Sequence, residues 1–313
     1  MTPTAAWRCK PASGVGWAAG LVLLLTLAAC GGGGGGGGGG GVDASVPPAS
    51  PIAPAVPPPS TPPPATGGVP AGYALVWSDE FDTDGLPDAS KWLHDTDRNR
   101  LGWYNNELQY YASNRPENAV VQGGRLLITA RRENLTSASD WGGQRYTSAR
   151  LITRGKADWT YGFFEIRAKL PCGQGTWPAI WTLGSGGRWP QDGEIDIMEQ
   201  VGSNPSRVFG TVHTQAGSGG NSTGGSAQVA DACTAFHNYQ MTWTAEAIEF
   251  AVDGATYFRY ANPRSGNAAW PFTAPQFLLL NIAIGGDLGG TVDDRIFPVV
   301  MAIEHVRVYQ TPR

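Results

Sequence analysis

The stretch Asp192-Gly193-Glu194-Ile195-Asp196-Ile197-Met198-Glu199 alternates acidic and apolar residues with a period of two. In a β-strand alternate side chains share a face, so Glu194 and Asp196 point one way while the intervening isoleucines point into a hydrophobic layer. Strict alternation would turn Glu199 to the opposite face, but a β-bulge near Met198 adds one residue and returns Glu199 to the acidic face. A helix fits worse, because side chains two residues apart lie about 200° apart around its axis. We therefore predict a strand that carries three carboxyls on one open sheet face.

Three acids on one face repel one another, and catalysis is the simplest reason for such an arrangement. Retaining glycosidases need two carboxyls about 5–5.5 Å apart, one as the nucleophile and one as the acid/base. After the bulge correction, Glu194 and Glu199 come close to that separation. Asp196 between them would hold a shared proton or hydrogen bond, which helps keep one glutamate protonated and the other ionised. The alternatives are an acidic, solvated strand edge or a calcium site made of the same carboxylates.

The rest of residues 71–313 also has the two-residue period of β-strands. Short segments rich in β-branched and aromatic residues recur between turn signals, and no stretch keeps an amphipathic helical stripe over three turns. Besides the acidic strand, the predicted strands are Ala74–Trp77, Arg125–Ala130, Tyr161–Leu170, Trp177–Leu183, Arg207–His213, Gln240–Thr244, Ala247–Val252, Thr256–Tyr260, Phe277–Ile284 and Ile303–Tyr309. Ten or more short strands with Gly-rich turns predict one all-β domain, built as a two-sheet antiparallel sandwich.

The first 70 residues have a different composition and cannot bury a core. Residues 1–29 read as a signal peptide, because two basic residues precede an uncharged, leucine-rich stretch that is short for a membrane-spanning helix. That stretch ends Leu27-Ala28-Ala29-Cys30-Gly31, which resembles the lipobox of bacterial lipoproteins, where the cysteine is lipidated. Residues 30–70 contain 11 consecutive glycines and 11 prolines, which is typical of a flexible coil followed by a polyproline-like spacer.

These segments predict export, with a lipid anchor at Cys30 on the bacterial cell envelope or cell surface and a linker over residues 30–70. The alternative is an ordinary cleaved signal peptide in which the cysteine is incidental. The domain at residues 71–313 would then work outside the cytoplasm, where disulfides persist. Of the four cysteines, Cys172 and Cys233 would remain available, and a disulfide between them fits the sequence as well as two buried thiols.

Composition argues against a nucleic-acid-binding surface. Charged residues make up 15% of the chain and the net charge is −4, so a cationic face for a polyanion is not expected. Four cysteines in 313 residues also exclude a scaffold built from disulfides.

The acidic strand Glu194–Glu199 resembles the active-site signature of family 16 glycoside hydrolases, in the form that carries the bulge. Matches to the laminarinase-like branch of that family continue in the right order over most of residues 71–313. They are Asp79-Glu80-Phe81-Asp82, Trp103-Tyr104-Asn105-Asn106-Glu107-Leu108-Gln109-Tyr110-Tyr111, Gly175-Thr176-Trp177-Pro178-Ala179-Ile180-Trp181, Gly210-Thr211-Val212-His213, His237-Asn238-Tyr239 with Trp243, and Leu280-Asn281-Ile282-Ala283-Ile284-Gly285-Gly286. The resemblance implies a concanavalin-like β-jelly roll that cleaves β-glucans with retention. By position it implies Glu194 as the nucleophile, Asp196 as its helper and Glu199 as the general acid/base.

The aromatic residues fit a sugar cleft. Sugar rings expose apolar C–H faces that stack on indoles, so a cleft for a glucan should be lined with tryptophan. The predicted sugar-stacking residues are Trp103, Trp177, Trp181 and Trp189, although core packing explains each of them about as well. The predicted partners of sugar hydroxyls are Asn105, Asn106 and His213. The tryptophans assigned to the core are Trp77, Trp92 and Trp243.

The resemblance also implies a structural calcium, since members of the family often bind one with an acidic residue just before the last strand. Here Glu304 stands where aspartate is usual, and Glu80 and Glu304 are the predicted calcium ligands. No cofactor is predicted for catalysis. The predicted partners are a β-glucan polysaccharide and a membrane, reached through the lipid anchor. We expect no nucleic-acid partner, and we expect a monomer.

The predicted function is retaining endo-hydrolysis of laminarin-type β-1,3-glucan at the cell envelope. A mixed-linkage β-1,3-1,4-glucanase or another polysaccharide hydrolase, such as one acting on galactan, is the alternative within the same class. Residues 105–109 resemble the glucanase branch, which argues against galactan. A non-catalytic carbohydrate-binding surface lipoprotein is the alternative from another class, but a binding protein has no need of a cluster of repelling carboxylates.

Overall fold

Nearly all the regular structure in residues 68–312, the part of the chain that this computed structural model describes, is β-strand. In chain order the strands begin with β1 (Ala74–Asp79), β2 (Leu93–His94), β3 (Gln109–Tyr111), β4 (Ala119–Val121), β5 (Leu126–Arg132), β6 (Tyr146–Ser148), β7 (Arg150–Ile152), β8 (Gly162–Lys169) and β9 (Thr176–Gly184). They continue with β10 (Glu194–Gln200), β11 (Arg207–His213), β12 (Thr223–Gln228), β13 (His237–Trp243), β14 (Ala247–Val252), β15 (Ala255–Ala261), β16 (Gln276–Ile284) and β17 (Val299–Gln310). The helical elements of the described residues are α1 (Gly286–Gly289) and three short 3-10 turns at Tyr104–Asn106, Gly219–Asn221 and Asp294–Ile296.

These strands form two sheets. One has ten strands in the order β15-β14-β13-β8-β17-β5-β6-β3, with β1 paired to β17 and β4 to β5. The other has seven strands in the order β12-β11-β10-β9-β16-β7-β2. Within the described residues, paired strands are antiparallel apart from β3 and β6, which run parallel. The predicted all-β, two-sheet jelly-roll sandwich is therefore confirmed, and the β3–β6 pair is the one departure from a fully antiparallel arrangement.

All ten strands predicted outside the acidic segment are present, with bounds shifted by a few residues. Six further strands, β2, β3, β4, β6, β7 and β12, have no clear signal in the sequence. Five of them are two or three residues long, and β12 has the sequence Thr-Gly-Gly-Ser-Ala-Gln, which is poor in strand-forming residues. Close packing explains one of these glycines, because a Cβ at Gly225 would lie 2.7 Å from the Cβ of Phe258.

The main hydrophobic core contains buried side chains from both sheets, and it anchors the acidic strand. Ile195, Ile197 and Met198 of β10 are all buried in this core. The tryptophans assigned to the core belong to the same cluster, with Trp92 and Trp243 buried and Trp77 partly buried against it. Because the apolar side chains of β10 are held inside, the direction in which its acidic side chains point is also fixed.

A disulfide joins Cys172, which follows β8, to Cys233, which precedes β13. The two Cα atoms lie 5.7 Å apart and the cysteines are 61 residues apart in the chain. The amide nitrogen of Gln200, the last residue of β10, lies 3.9 Å from the Cys233 sulfur. The sequence left the pairing open, and the structure has the disulfide, at the end of the acidic strand.

Removing this disulfide should destabilise the protein. A cross-link between residues 61 apart restricts the unfolded chain, which corresponds to about 4 kcal/mol of stability in the chain-entropy description. We expect a Cys172→Ala/Cys233→Ala variant to lose about 2–4 kcal/mol of unfolding free energy, measured by urea titration. Wild type treated with reductant serves as the control and should lose a similar amount. Unchanged unfolding of both samples would contradict a stabilising disulfide.

Residues 1–67 and Arg313 lie outside the described residues. The signal peptide at residues 1–29, the lipidated Cys30 and nearly all of the linker over residues 30–70 therefore remain predictions. Over residues 68–312, no helix combines the length and the apolar character needed to cross a membrane.

Candidate active site

A β-bulge in β10 brings three carboxyls to one face of the seven-stranded sheet. On the β11 side, Asp196 pairs with Thr211 and Glu199 with Phe209, so three steps along β10 match two steps along β11. The register against β9 shifts in the same place, between Asp196 and Met198. The extra residue lets two consecutive side chains, those of Ile197 and Met198, be buried in the core. The bulge predicted near Met198 is therefore confirmed, and it returns Glu199 to the face that carries Glu194 and Asp196.

Two of the three carboxyls accept a hydrogen bond from an indole N–H, and the third lies next to a histidine ring. The indole Nε1 of Trp189 donates to Glu194, and that of Trp177 donates to Oε1 of Glu199 over 2.8 Å. Nε2 of His213 lies 3.1 Å from Oδ2 of Asp196. The polar atoms of Glu194, Asp196 and His213 lie within 4.8 Å of one another. This is a tightly packed polar cluster, and it is not the solvated strand edge that the sequence left as an alternative.

Burial controls the protonation of Asp196 and Glu199, the two buried carboxyls of the three. Asp196 and Glu199 are only 3% and 8% exposed. Burial, followed by the charges of Glu194 and Glu199, raises the pKa of Asp196 well above its usual range. Burial also raises the pKa of Glu199 to about 7, with the hydrogen bond from Trp177 opposing the rise and the charge of Glu194 adding to it. Near neutral pH, Glu199 can therefore both give and take a proton, as an acid/base catalyst must.

His213 is held between the carboxylates and a backbone group. Burial lowers its pKa, but the charge of Glu194 and the hydrogen bond to Asp196 outweigh burial and raise the pKa to about 10. The backbone N–H of Gly219 donates to Nδ1 over 3.1 Å, and a ring nitrogen can accept this bond only without its own proton. The carboxylates favour the charged ring and Gly219 favours the neutral one. Both forms keep a proton on Nε2, the ring nitrogen that lies 3.1 Å from Oδ2 of Asp196.

The predicted sugar-stacking tryptophans fall into two groups. Trp181 and Trp189 are half-buried, which leaves part of each indole open to a ligand. Trp103 and Trp177 are buried, at 6% and 8% exposure. Trp177 holds Glu199, and Trp103 packs edge-on against Tyr111 at 4.6 Å between ring centroids. Sugar stacking by Trp103 therefore remains a prediction, and little of its indole is exposed.

Asn105 and Asn106 lie exposed in the 3-10 turn before β3. Both have positive φ, 56° and 57°, a backbone conformation that asparagine tolerates better than most residues. The side chain of Asn106 donates to Oδ1 of Asp287 in α1 over 2.7 Å. The turn is thus tied to the loop after β16, and the side chain of Asn105 hydrogen-bonds to Glu107.

A set of polar residues that the sequence did not single out lies beside this turn. Arg150 on β7 packs over the rings of Trp181 and Trp103, with its guanidinium carbon 4.7 and 5.1 Å from the ring centroids. It forms a buried ion pair with Asp95, 3.0 Å between Nε and Oδ2. Glu107 accepts hydrogen bonds from Gln109 and Tyr111. Glu107 stands inside a matched motif, which was the available signal, whereas nothing in the local sequence marks Arg150.

The predicted calcium ligands are engaged elsewhere. Glu80 forms a bidentate pair with Arg307, at 2.9 and 2.8 Å. Glu304 binds Arg167 at 2.7 Å and Arg125 at 3.3 Å. Carboxylates neutralised by guanidinium groups do not fit a cation site. The calcium ligands therefore remain a prediction from the family resemblance that this arrangement of side chains disfavours.

We accordingly expect removal of divalent cations to leave the protein's stability unchanged. The built-in guanidinium groups supply the positive charge that calcium would bring, so the unfolding temperature in excess EDTA should equal that in added calcium. Differential scanning calorimetry in the two buffers, with magnesium as a matched control cation, makes the comparison. A higher unfolding temperature in calcium alone would show that a calcium site exists after all.

These features are typical of a glycoside hydrolase. One sheet face of a β-sandwich carries two glutamates that flank a buried aspartate, and half-buried tryptophans lie beside them. Residues 106–294 match the Glycosyl hydrolases family 16, and the chain belongs to that family. A β-glucanase from Rhodothermus marinus is 51% identical over 253 residues, covering 76% of this chain and 85% of the relative.

Solved structures agree with this assignment. The laminarinase from Rhodothermus marinus superposes with a TM-score of 0.72 at 49% identity, covering 77% of this chain and 98% of its own. SCLam, described as a non-specific endo-β-1,3(4)-glucanase from family GH16, gives a TM-score of 0.76 at 50% identity, covering 78% of this chain and 94% of its own.

Proposed function

We propose that this protein is a retaining endo-β-1,3-glucanase that acts by double displacement, with Glu194, Asp196 and Glu199 as its catalytic residues. The observation that carries the proposal is the bulge in β10, which places the three carboxyls on one face of the sheet. Two carboxyls on one face, one of them with a pKa near neutrality, are what a retaining mechanism requires. The relatives named as β-glucanase and laminarinase support β-glucan as the substrate class.

In the first step, Glu199 gives its proton to the glycosidic oxygen as the bond to the anomeric carbon breaks. The Glu194 carboxylate attacks that carbon from the other side and forms a covalent glycosyl-enzyme. Trp189 donates to Glu194 and orients it for the attack. Asp196, whose pKa is raised by burial and by both glutamates, holds a proton between them and so reduces their repulsion. In the second step, the ionised Glu199 takes a proton from water, and the water oxygen attacks the anomeric carbon. The bond from that carbon to Glu194 breaks, which restores the Glu194 carboxylate and releases the sugar with its configuration retained.

The proposal is tested by the stereochemistry and size of the products. Purified protein should release oligosaccharides of mixed length from laminarin, with the β-anomer appearing first in the ¹H NMR spectrum. Early appearance of the α-anomer would contradict the retaining mechanism. Binding of laminarin without any turnover would instead favour the non-catalytic carbohydrate-binding protein.

Mixed-linkage β-1,3-1,4-glucan is a second candidate substrate, which the non-specific endo-β-1,3(4)-glucanase among the similar structures favours. We expect laminarin to be cleaved with the higher kcat/KM and barley β-glucan to be cleaved as well. Carrageenan and agarose serve as control polysaccharides in the same assay and should stay intact.

We further propose that the enzyme is exported and lipid-anchored at the cell envelope as a monomer. In this proposal residues 1–29 are the signal peptide, Cys30 is lipidated, and residues 30–70 are the tether to a catalytic domain at 71–313. The composition of the first 70 residues supports the leader and the tether. The family match bears only on the catalytic domain, since residues 106–294 lie within it.

The anchoring is tested by following Cys30→Ser and wild type in a bacterium that processes lipoproteins. Wild type should incorporate labelled fatty acid and sediment with membranes, whereas the variant should do neither. An unlabelled, soluble wild type would contradict the anchor, and sedimentation equilibrium of detergent-free protein lacking residues 1–30 tests the monomer.

A further inference from the structure

We propose that Phe209 on β11 is the ring on which the leaving-group sugar of the glucan stacks, beside the acid Glu199. The inference rests on the proposed function, because it takes Glu199 as the acid and Glu194 as the nucleophile. Phe209 is not on the acidic strand, and the motif on β11 that resembles the family begins one residue later, at Gly210.

The pairing of β11 with β10 determines the face on which Phe209 lies. Phe209 is directly opposite Glu199. Its neighbour Val208 is buried in the core, so the next side chain along the strand points to the other face. His213, four residues further on, shares that face with Phe209, and its Nε2 lies 3.1 Å from Oδ2 of Asp196. Phe209 is therefore on the face that carries the three carboxyls.

The same pairing places Phe209 close to the acid and far from the nucleophile. The Cβ atoms of directly opposed residues in an antiparallel pair lie about 4.5–5.5 Å apart, and Phe209 and Glu199 form such a pair. Glu194 is opposite His213 instead. Four residues separate His213 from Phe209 along β11, which is about 13 Å.

The ring of Phe209 has no packing partner that would explain its position. Among the described residues, neither hydrophobic cluster includes it, and it has no ring contact with an aromatic or cationic side chain. The protein has three other half-buried phenylalanines. Phe258 stacks on a buried phenylalanine at 6.0 Å, Phe297 lies 5.1 Å from a tyrosine ring, and Phe236 is covered by the guanidinium of Arg125 at 5.0 Å. Phe209 alone in this set leaves its ring free for a ligand.

The neighbouring strand leaves room beside this ring. On β12, which is the edge of the seven-stranded sheet, Ser226 is opposite Phe209 and Gly224 is opposite Thr211. These positions share the face of Phe209, and they carry a small side chain and none. A Cβ at Gly224 would lie 2.4 Å from the carbonyl oxygen of Gly210, so a larger residue does not fit there. Between Phe209 and the edge of the sheet, β12 therefore presents no bulky side chain to a sugar.

The chemistry of the two glutamates determines which sugar Phe209 holds. The oxygen that Glu199 protonates joins the sugar attacked by Glu194 to the sugar that leaves. The leaving sugar is therefore beside Glu199, on the side away from Glu194, and this is where Phe209 lies. Its apolar C–H face can stack on the phenyl ring. Trp189, which donates to Glu194, is the half-buried ring at the opposite end of the acidic strand.

The same ring would hold an incoming sugar in place of water. In that reaction an acceptor hydroxyl gives its proton to the ionised Glu199, and its oxygen bonds to the anomeric carbon of the glycosyl-enzyme. The bond from that carbon to Glu194 breaks and restores the carboxylate. The product is a longer glucan, so Phe209 sets the share of transfer relative to hydrolysis.

The test uses β-laminaribiosyl fluoride, whose leaving group is a single atom that leaves the Phe209 side empty. Phe209→Ala should hydrolyse this fluoride within about twofold of wild type, but it should lose about three- to tenfold in kcat/KM on laminarin, the effect of one lost stacking contact. With laminaribiose added as the acceptor, the ratio of transfer to hydrolysis should fall by a similar factor. Phe209→Tyr keeps an aromatic ring and should keep both values close to those of wild type.

Phe236→Ala removes a half-buried phenylalanine that lies outside the seven-stranded sheet, and this matched control should change none of these values. Equal losses on the fluoride and on laminarin in Phe209→Ala would indicate a structural role and overturn the proposal, as would an unchanged transfer ratio. If Phe209→Ala folds poorly, Phe209→Leu, which fills most of the space without a flat ring, takes its place with the same expected losses.

If wild type hydrolyses neither substrate, the proposed function fails by itself. Phe209 is then decided by isothermal titration of laminarihexaose into wild type and Phe209→Ala. The proposal requires weaker binding to the variant, and equal affinities would overturn it.

Discussion

Replacing Glu194 by glutamine should lower kcat on laminarin by a factor of about 10⁴ to 10⁶, since loss of a nucleophile removes the covalent step as a whole. The fold should survive, because the glutamine oxygen can still accept the hydrogen bond from Trp189 that the carboxylate accepts. The side chain is also the least buried of the three carboxyls. Initial rates of reducing-sugar release measure the effect, and the unfolding temperature reports on the fold.

Replacing Glu194 by glycine, which has no side chain, distinguishes a nucleophile from an acid with only a structural role. In Glu194→Gly, azide should enter the space left by the side chain and restore turnover of an activated aryl β-glucoside, giving the α-glycosyl azide. The control variant is Glu117→Gln, which should behave as wild type. Activity of Glu194→Gln within tenfold of wild type, with the fold intact, would remove Glu194 from the proposed mechanism.

Replacing Glu199 by glutamine should cost about 10²–10⁴ in kcat/KM on laminarin, the range typical of a lost general acid. The sugar leaving group of a natural glucan needs a proton, whereas an activated aryl leaving group does not. With an aryl substrate, the loss of rate in the glycosylation step should therefore be much smaller. The wild-type alkaline limb should fall near pH 7, because the pKa of Glu199 is raised to about 7. That limb should be absent from the residual activity of Glu199→Gln.

The pH dependence of the protein's stability gives an independent measurement of the pKa of Glu199. A carboxyl whose pKa is raised on folding contributes stability at pH values below its unfolded pKa, and this contribution is lost as pH rises through the folded pKa. For Glu199 this window runs from about pH 4.5 to about pH 7. Glu199→Gln cannot ionise, so its unfolding temperature should exceed that of wild type at alkaline pH. A variant that is less stable than wild type throughout this range would contradict burial as the cause of the raised pKa.

The sequence was sufficient for the fold class and for the position of the carboxyls. Both depend on the two-residue period of the sequence. In a strand with this period, one extra residue determines which face each acidic side chain takes. The long strands were found because each carries a run of β-branched and aromatic residues. The edge strand β12 was missed because it is poor in strand-forming residues, and the close packing of Gly225 against Phe258 is not visible in local sequence.

The parts of the site that depend on tertiary contacts could not be predicted. Glu107 and Arg150 belong to separate segments, and only the folded chain brings the charge of Arg150 close enough to act on Glu107. The burial of Trp103 against Tyr111 could not be predicted either, because a tryptophan in a motif has the same sequence signature whether it packs on a tyrosine or is open to a ligand. The pairing of Cys172 with Cys233 likewise depends on two loops that the chain separates by 61 residues.

The bulge in β10 also limits which mutations this strand can tolerate. Between Glu194 and Glu199 the number of residues matters as much as their identity, because deleting one of them would turn the Glu199 carboxyl into the hydrophobic core. An ionisable group buried there without a partner would cost several kcal/mol. Substitutions among Ile195, Ile197 and Met198 that preserve volume should be tolerated, whereas insertions and deletions should not. Libraries intended to alter specificity should therefore hold the length of this strand constant and keep its three acids.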